Sequence, residues 1–175
     1  YKAKLYDRKG TYKLGGYFDT GRFPDQSDFE KSHKNNWSIY TVVDQTIQNF
    51  SPTTAVDAFI RGNWTSDIDR NQIVYAADGG VVLKGPFKRA VDVLGLGFGL
   101  GVPSPRLAQA DRHPGIPGQG VAYHLELPYQ LPLTSCFLLQ PDMQGILSPS
   151  GGVLDSKKQR MQHEAIFGLH SGVVF

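Results

Sequence analysis

The residues of this chain whose types could support chemistry do not form a catalytic or metal-binding set. Asp67, Asp69 and Asn71 match the start of a calcium-binding loop, but Gln72 stands where such a loop needs glycine. No serine, histidine and aspartate lie around a strand-to-helix nucleophile turn. The histidines also lack the spacing of metal ligands; they are His33, His113, His124, His163 and His170. We therefore predict no enzymatic activity, no cofactor and no metal.

Glycine occupies every second position of the segment LGLGFGLGV at 94–102. A dinucleotide-binding loop needs a third glycine where Leu100 stands, with a helix after it, and neither is found. In a β-strand the four glycines would instead leave one face without side chains. We expect something to approach that bare face closely, such as an inward-folded loop. These glycines are Gly95, Gly97, Gly99 and Gly101.

Hydrogen-bonding side chains recur at every second position of several segments, opposite apolar side chains. In residues 55–64, Asp57, Arg61 and Asn63 share one face, while Ile60 and Trp64 lie on the other. Segments 72–84 and 121–131 behave similarly, and no charge falls on the apolar face of any of the three. A lysine or arginine facing lipid at mid-bilayer costs about 2–4 kcal/mol. The charged faces are therefore predicted to line a wet lumen.

Period-two alternation predicts nine strands, at residues 2–6, 12–19, 37–47, 55–64, 72–84, 91–102, 121–131, 134–147 and 165–175. Most have about the 9–11 residues that cross a bilayer when tilted, rather than the roughly 5–6 of globular strands. In 37–47 the preferred phase puts Tyr40 and Asp44 inside and Gln45 outside. Short and longer connections alternate without exception, as in outer-membrane barrels with short periplasmic turns and longer outer loops.

The last segment ends on Phe175 and keeps its only ionisable group, His170, away from its apolar face. A soluble antiparallel strand with one buried face would show the same alternation, so this segment alone leaves both interpretations open. Aromatic residues near the strand ends are expected to form a girdle at the membrane interfaces; they are Tyr17, Trp37, Trp64, Tyr75, Tyr123, Tyr129 and Phe175.

Composition excludes other classes. The net charge is +2, and 40% of the residues are hydrophobic, as in a folded chain. No run of like charges suggests a nucleic-acid-binding arm, so no nucleic-acid partner is expected. Cys136 is the only cysteine, which rules out an internal disulfide. No apolar run approaches the roughly 20 residues of a transmembrane helix.

The segment ELPYQLPLTSCFLLQPDMQGILSPSGG at 126–152 resembles the penultimate hairpin of bacterial carbohydrate-selective porins, the OprB-like family. LQPDMQ is its most specific part. Further matches follow in the family's order: YKLGGYFDTG, YTVVDQTI, FIRGNW, DRNQ and DVLGLGF. The chain departs from the family pattern at Cys136, where tryptophan is usual, and in a short final loop.

The resemblance implies an all-β, antiparallel transmembrane barrel of roughly sixteen strands, in the bacterial outer membrane, through which sugars diffuse passively. Residues 1–175 would form the C-terminal part of this single barrel domain. Arg61 is expected to pair with Asp57 or Glu126 across neighbouring strands at a constriction. The inward residues expected to contact sugar are Tyr40, Asp44, Asp57, Arg61, Asn63, Asp78, His124, Glu126, Gln130, Asp142, Gln144 and His170.

Nine strands are too few for an aqueous channel, and an odd number conflicts with the even counts of bacterial barrels. We therefore expect a missing N-terminal portion or a second chain to complete the barrel in the lipid bilayer. Phe175 is expected to address the barrel-assembly machinery, and a homo-oligomer is possible. The alternative is a non-conducting β-barrel or β-sandwich of the cell envelope that binds a partner. An enzyme ranks third.

Overall fold

A computed structural model describes residues 1–5, 7–110, 118–155 and 159–173. The chain forms one nine-stranded antiparallel meander in which each strand pairs with its sequence neighbours. The strands are β1 (Lys2–Leu5), β2 (Arg8–Pro24), β3 (Ser32–Asn49), β4 (Ala55–Trp64), β5 (Ile73–Lys84), β6 (Val93–Pro103), β7 (Ala122–Pro132), β8 (Phe137–Leu147) and β9 (Glu164–Val173). The predicted all-β antiparallel class is confirmed.

Three short helical segments lie in the connections: α1 (Pro105–Ala110) and the 3-10 turns Pro86–Lys88 and Pro149–Gly151. No helix in the described part of the chain is long and apolar enough to cross a membrane.

Strands β2 and β3 are much longer than predicted, with 17 and 18 residues. The expected long loop at 20–36 is therefore wrong. After a bulge between Asp19 and Arg22 the ladder resumes and continues to Pro24 opposite Ser32. At about 3.3 Å per residue, this hairpin extends well past the apolar band of about 25 Å that a membrane barrel presents to lipid.

The register divides the sheet into two faces, because directly opposite residues of an antiparallel pair point to the same side. Arg61 lies opposite Val42 and Asp78, Asp78 lies opposite Gly99, and Gly99 lies opposite His124. The polar faces predicted for separate strands thus join into one continuous surface, which we call the inner face. Asp44 lies opposite Phe59 on this face, so the phase predicted for residues 37–47 is confirmed.

The opposite, outer face is apolar. Across the described strands β4 to β9 it carries no charged side chain, and its large side chains are exposed: Ile60 is 57% exposed, Leu169 67% and Phe167 77%. No hydrophobic side chain among the described residues is buried. A sheet with such a face and no core needs an apolar environment to cover it.

Aromatic side chains form a band on the outer face where several strands reach the same end of the sheet. Phe18 lies opposite Trp37, and Trp64 lies opposite Tyr75; the Trp37 and Trp64 rings meet edge to face at 5.4 Å. The expected girdle is corrected at Tyr17, which lies opposite Ser38 on the inner face. Its neighbour Phe18 takes the outward position.

The strict alternation of connection lengths is wrong at one place, since 65–72 and 85–92 are equally long. Residues 85–92 form a compact unit in which the Gly85 amide donates to the Asp92 carbonyl at 2.9 Å. The buried Asp92 carboxylate accepts hydrogen bonds from Arg89 Nε and Tyr129 Oη, each at 2.6 Å. Residues 85–92 therefore form a structured turn, although this connection is longer than the short connection that was predicted.

The sheet is open, because β1 and β9 form its two edges and the described ladder does not join them. The two last residues of the predicted strand 165–175 lie outside the described residues, and so does the Phe175 side chain.

Candidate functional site

A recess of about 400 Å³ lies on the inner face, over strands β2 to β5. The side chains in it combine both charges with one aromatic ring. Those that carry the argument are Lys9, Asp44, Asp57, Phe59, Arg61 and Lys84. Three of these six were predicted as inward residues in contact with sugar: Asp44, Asp57 and Arg61.

The register explains why these side chains meet. Thr11 lies opposite Asp44, Asp44 opposite Phe59, and Phe59 opposite Gly80, so the four form one row across the sheet. A Cβ at Gly80 would lie 2.9 Å from the Phe59 ring and 2.3 Å from the Leu96 carbonyl oxygen. The ring of Phe59 therefore rests over a position that glycine keeps free.

Arg61 lies beside this ring and forms a loose ion pair. Its Cζ is 4.8 Å from the centroid of the Phe59 ring, within the range of a cation–π contact. Its Nη1 lies 3.7 Å from Asp78 Oδ2, and both side chains are about half exposed. Such an exposed pair contributes little stability, so the guanidinium is available to other partners.

The predicted partner of Arg61 is wrong. Asp57 is four residues away on the same strand, roughly 13 Å along the backbone, and Glu126 lies three strands away, roughly 14 Å. Asp57 instead pairs with Lys84, whose Nζ lies 2.5 Å from Asp57 Oδ2. The second oxygen of Asp57 is buried and has no hydrogen-bond partner among the described residues.

Other predicted residues lie further across the same face. His124, Glu126 and Gln130 point inward from β7, opposite Gly99, Gly97 and Val93. On β8 the Asp142 side chain is buried against Gly168, whose added Cβ would lie 1.9 Å from Asp142 Oδ1. Gln144 Nε2 donates to Asp142 Oδ2 at 2.6 Å, and the exposed His170 lies 3.5 Å from Asp142 Oδ1. This group is separate from the recess.

Tyr40 and Asn63 lie opposite each other on β3 and β4. The Tyr40 ring covers Gly15, and Asn63 Nδ2 donates to the buried Ser38 Oγ at 2.6 Å. Asn63 therefore has a structural partner on the inner face, while Tyr40 is 42% exposed.

The glycines of β6 lie between the recess and the β7 to β9 group. Around Gly97 and Gly99, the nearest atoms to an added Cβ are the Glu126 Cβ at 4.0 Å and the Asp78 Cβ at 3.6 Å. These belong to neighbouring strands, so no loop among the described residues folds over this bare face. The expected inward-folded loop is not supplied by the described chain.

Three inner-face residues of the recess were missed as candidates: Lys9, Phe59 and Lys84. Phe59 and Lys84 alternate with outward residues in the sequence, so the period-two pattern was sufficient to assign both to the inner face. Lys9 was assigned to a turn, because β2 begins earlier than its apolar pattern indicates. Only the ladder shows that it lies on the inner face.

A buried polar network joins the loops at the end of the sheet that carries the aromatic band. Asp25 accepts hydrogen bonds from His33 Nε2 at 2.7 Å and from Arg106 Nη2 at 2.8 Å. Hydrogen bonds from His33 and then Ser27 hold the pKa of Asp25 well below its ordinary value, despite burial. Asp69 faces the other nitrogen of His33 at 3.3 Å. The network ties strand β3 to three connections.

The inner face offers hydrogen bonding and charge, rather than a set for covalent chemistry. Among the described residues no group of three or more histidine, cysteine, aspartate or glutamate side chains could hold a metal ion. The recess combines carboxylate acceptors and ammonium and guanidinium donors with one aromatic face. Such a surface can bind a polar solute that has C–H groups to set against a ring.

The fold is similar to that of a solved outer-membrane protein. The chain superposes on the high-pH structure of Pseudomonas putida OprB with a TM-score of 0.85 and 21% sequence identity. The alignment covers 99% of this chain and 46% of that one, so the chain spans less than half the length of that porin. At this identity the likeness establishes the fold alone. A search of curated proteins found no match.

The family model described as carbohydrate-selective porin, OprB family, matches residues 5–175. OprB porins are non-enzymatic proteins of the bacterial outer membrane. Since the match covers nearly the whole chain, this chain belongs to the OprB family of carbohydrate-selective porins.

Proposed function

We propose that this chain forms part of the wall of a water-filled outer-membrane channel through which carbohydrates diffuse passively. The observation that carries the proposal is the recess on the inner face, with charged groups on both sides of Phe59. The charge-free outer face of β4 to β9 supports a lipid boundary behind that wall.

The recess suits the chemistry of a sugar ring, which has hydroxyl groups at its rim and C–H groups on its faces. The Phe59 ring can pack against the C–H face. Asp44 and Asp57 can accept hydrogen bonds from hydroxyl groups, while Lys84 and Arg61 can donate them. Because Arg61 and Asp78 are half exposed and 3.7 Å apart, both can turn to a hydroxyl group without breaking a tight pair.

Weak binding fits passive diffusion, since a channel must let a solute enter a site and leave it again. The recess is open to the inner face, and Arg61 and Lys84 are about half exposed, so their contacts with sugar replace contacts with water. The aromatic ring of Phe59 gives the site a preference for ring-shaped solutes over small ions.

The open sheet constrains how a barrel can close. Nine antiparallel strands leave β1 and β9 running in the same direction. Antiparallel pairing at both seams therefore needs an odd number of further strands, and seven would give 9 + 7 = 16, a number that encloses an aqueous channel. We propose that further sequence of a longer chain, or a different chain, supplies these strands.

A second copy of this chain fits poorly as the closing partner. In the same membrane orientation its β9 would meet β1 in parallel, and β1 has 4 residues against 10 in β9. Recognition of Phe175 by the barrel-assembly machinery and association of completed barrels into a homo-oligomer stay predictions.

The test is electrical. We expect the native assembly that contains this chain to conduct ions in a planar bilayer and to be blocked by glucose. Arg61→Ala should weaken the glucose block about threefold to tenfold, because it removes a charged hydrogen-bond donor from a half-exposed site. Lys88→Ala, in the turn outside the strands, is the matched control and should leave the block unchanged.

Two results would contradict the proposal. An Arg61→Ala channel with unchanged glucose block would remove the recess from the sugar path. A stable, detergent-independent monomer that inserts no channel would support the non-conducting alternative.

A further inference from the structure

Four lysines gather on the inner face beside the recess, on the first two strands. In β1, Lys2 lies opposite Thr11 and Lys4 lies opposite Lys9. Lys13 lies on β2 opposite Val42, and Val42 lies opposite Arg61, so Lys13 and Arg61 share the inner face. All four lysines are exposed. We call Lys2, Lys4, Lys9 and Lys13 the lysine cluster.

The lysine cluster is not neutralised within the described chain. None of its four side chains forms an ion pair with a described carboxylate, whereas Lys84 and Arg61 each do. Lys4 and Lys9 are directly opposite each other, an arrangement of like charges that destabilises a sheet. A structural role would favour an oppositely charged or neutral residue at one of these positions.

Charge is distributed unevenly around the inner face. Strands β7 to β9 carry three inward carboxylates, Glu126, Asp142 and Glu164. The described strand β6 between the two regions presents valine and glycines to the inner face, without charge. Positive charge is therefore concentrated on one side, at β1 and β2.

Lys9 belongs to the lysine cluster and also lines the recess, so the two regions adjoin each other. Lys9 lies two strands from Phe59, roughly 10 Å across the sheet, and both side chains line the recess. An anionic group held by Lys9 can therefore belong to the same solute as a ring packed on Phe59. Lysine ammonium groups bind carboxylate and phosphate groups as point charges with flexible reach.

We propose that the lysine cluster and the recess together bind anionic carbohydrates, sugars that carry a carboxylate or a phosphate group. The sugar ring lies in the recess, and the lysine cluster holds the anionic group. This inference rests on the proposed channel function and narrows its substrate class. It predicts that the channel binds an acidic sugar more tightly than the matching neutral sugar.

The test compares three probes on the native assembly in planar bilayers: glucose, glucuronate and inorganic phosphate. Lys4→Gln combined with Lys9→Gln should weaken block by glucuronate about fivefold to tenfold, since each exposed charge contact contributes little alone. Block by glucose should change less than twofold. Lys88→Gln serves as the control for loss of one positive charge outside the strands.

A second variant avoids the edge strand. Lys9→Gln combined with Lys13→Gln changes only β2, so a partner strand beside β1 cannot account for its effect. It should also weaken the glucuronate block and shift the reversal potential toward cation preference.

The outcomes separate this inference from the channel proposal. If glucose still blocks the channel and the block by glucuronate is the same in both variants as in the unmodified channel, the lysine cluster does not bind acidic sugars. The proposed channel function would stand in that case. If phosphate blocks as strongly as glucuronate, the cluster binds anions without regard to the ring, and the inference fails. If the variants only lower the melting temperature, carboxylates of the closing strands neutralise the lysines, which also overturns it.

Discussion

At the scale of single residues, the loop network around Asp25 shows how much a few polar side chains determine. Asp25 is fully buried, and its carboxylate oxygens contact His33, Ser27 and Arg106. The Ser27 amide also donates to Asp25 Oδ1 at 2.8 Å. One carboxylate therefore organises the tip of the β2–β3 hairpin and attaches α1 to it.

This network should weaken only below about pH 4. The folded-state pKa of Asp25 lies well below that of an unfolded aspartate, about 3.9. A carboxyl group with a lowered folded pKa stabilises the fold fully above the unfolded pKa, and that contribution declines as the pH falls toward the folded pKa. We expect protection of the Ser27 and Asp28 amides from hydrogen exchange to hold from about pH 7 to about pH 5 and to decline below about pH 4.

Asp25→Asn should reduce this protection at neutral pH and remove its decline in acid. Asp28→Asn is the control in the same loop, because Asp28 forms an exposed pair with Lys31 at 2.9 Å, and such pairs contribute little. Equal loss of protection in both variants would show that Asp25 does not organise the loop.

At the scale of strands, the two faces differ in their tolerance of charge. Val81 and Val82 are adjacent residues of the same type on opposite faces of β5, with Val81 outward and Val82 in the recess. Val81→Arg should lower the free energy of unfolding by up to about 2–4 kcal/mol, because it places a charge against lipid. Val82→Arg should change it by less than about 1 kcal/mol.

Urea unfolding in lipid vesicles measures both values. An equal loss of unfolding free energy in both variants would mean that the outer face of β5 does not contact lipid.

Glycines of neighbouring strands have different physical roles, although the sequence shows them alike. Gly80 and Gly97 lie opposite each other on the inner face. An added Cβ at Gly80 would lie 2.3 Å from the Leu96 carbonyl oxygen, whereas at Gly97 the nearest atom is 4.0 Å away. Gly80→Ala should therefore lower the free energy of unfolding by about 1–3 kcal/mol, and Gly97→Ala should leave it nearly unchanged.

The same unfolding measurement compares these two variants. A stable Gly80→Ala protein would show that the backbone of β5 and β6 relaxes easily at this row.

At the scale of the whole molecule, the open sheet determines what the native assembly must contain. An odd number of strands with two parallel edges cannot close on itself, or on an identical sheet in the same membrane orientation, with antiparallel pairing throughout. We expect the native channel to contain an odd number of additional strands. Its polypeptide mass should exceed 19.3 kDa, or a second, different polypeptide should copurify with it.

Mass spectrometry of the purified channel, run under denaturing conditions, measures this directly. A conducting assembly built only from 19.3 kDa chains would contradict the expectation.

Much of the fold follows from local patterns. The nine strands, the two faces of β4 to β9 and the inward phase of Tyr40 and Asp44 are all confirmed by the ladder. The family predicted from the 126–152 segment is confirmed by the match over residues 5–175. The extents of β2 and β3 and the position of Tyr17 were wrong, because polar residues beyond the apolar band carry no alternation that marks a strand.

The sequence by itself determined which residues share a face, because side chains of a strand alternate with a period of two whatever lies beside it. Only the tertiary structure decided which side chains meet across strands. Register pairs Arg61 with Asp78 and Asp57 with Lys84, and it brings Lys4 opposite Lys9. These contacts depend on the alignment of separate strands, and a shift of one residue would turn every side chain of a strand to the other face.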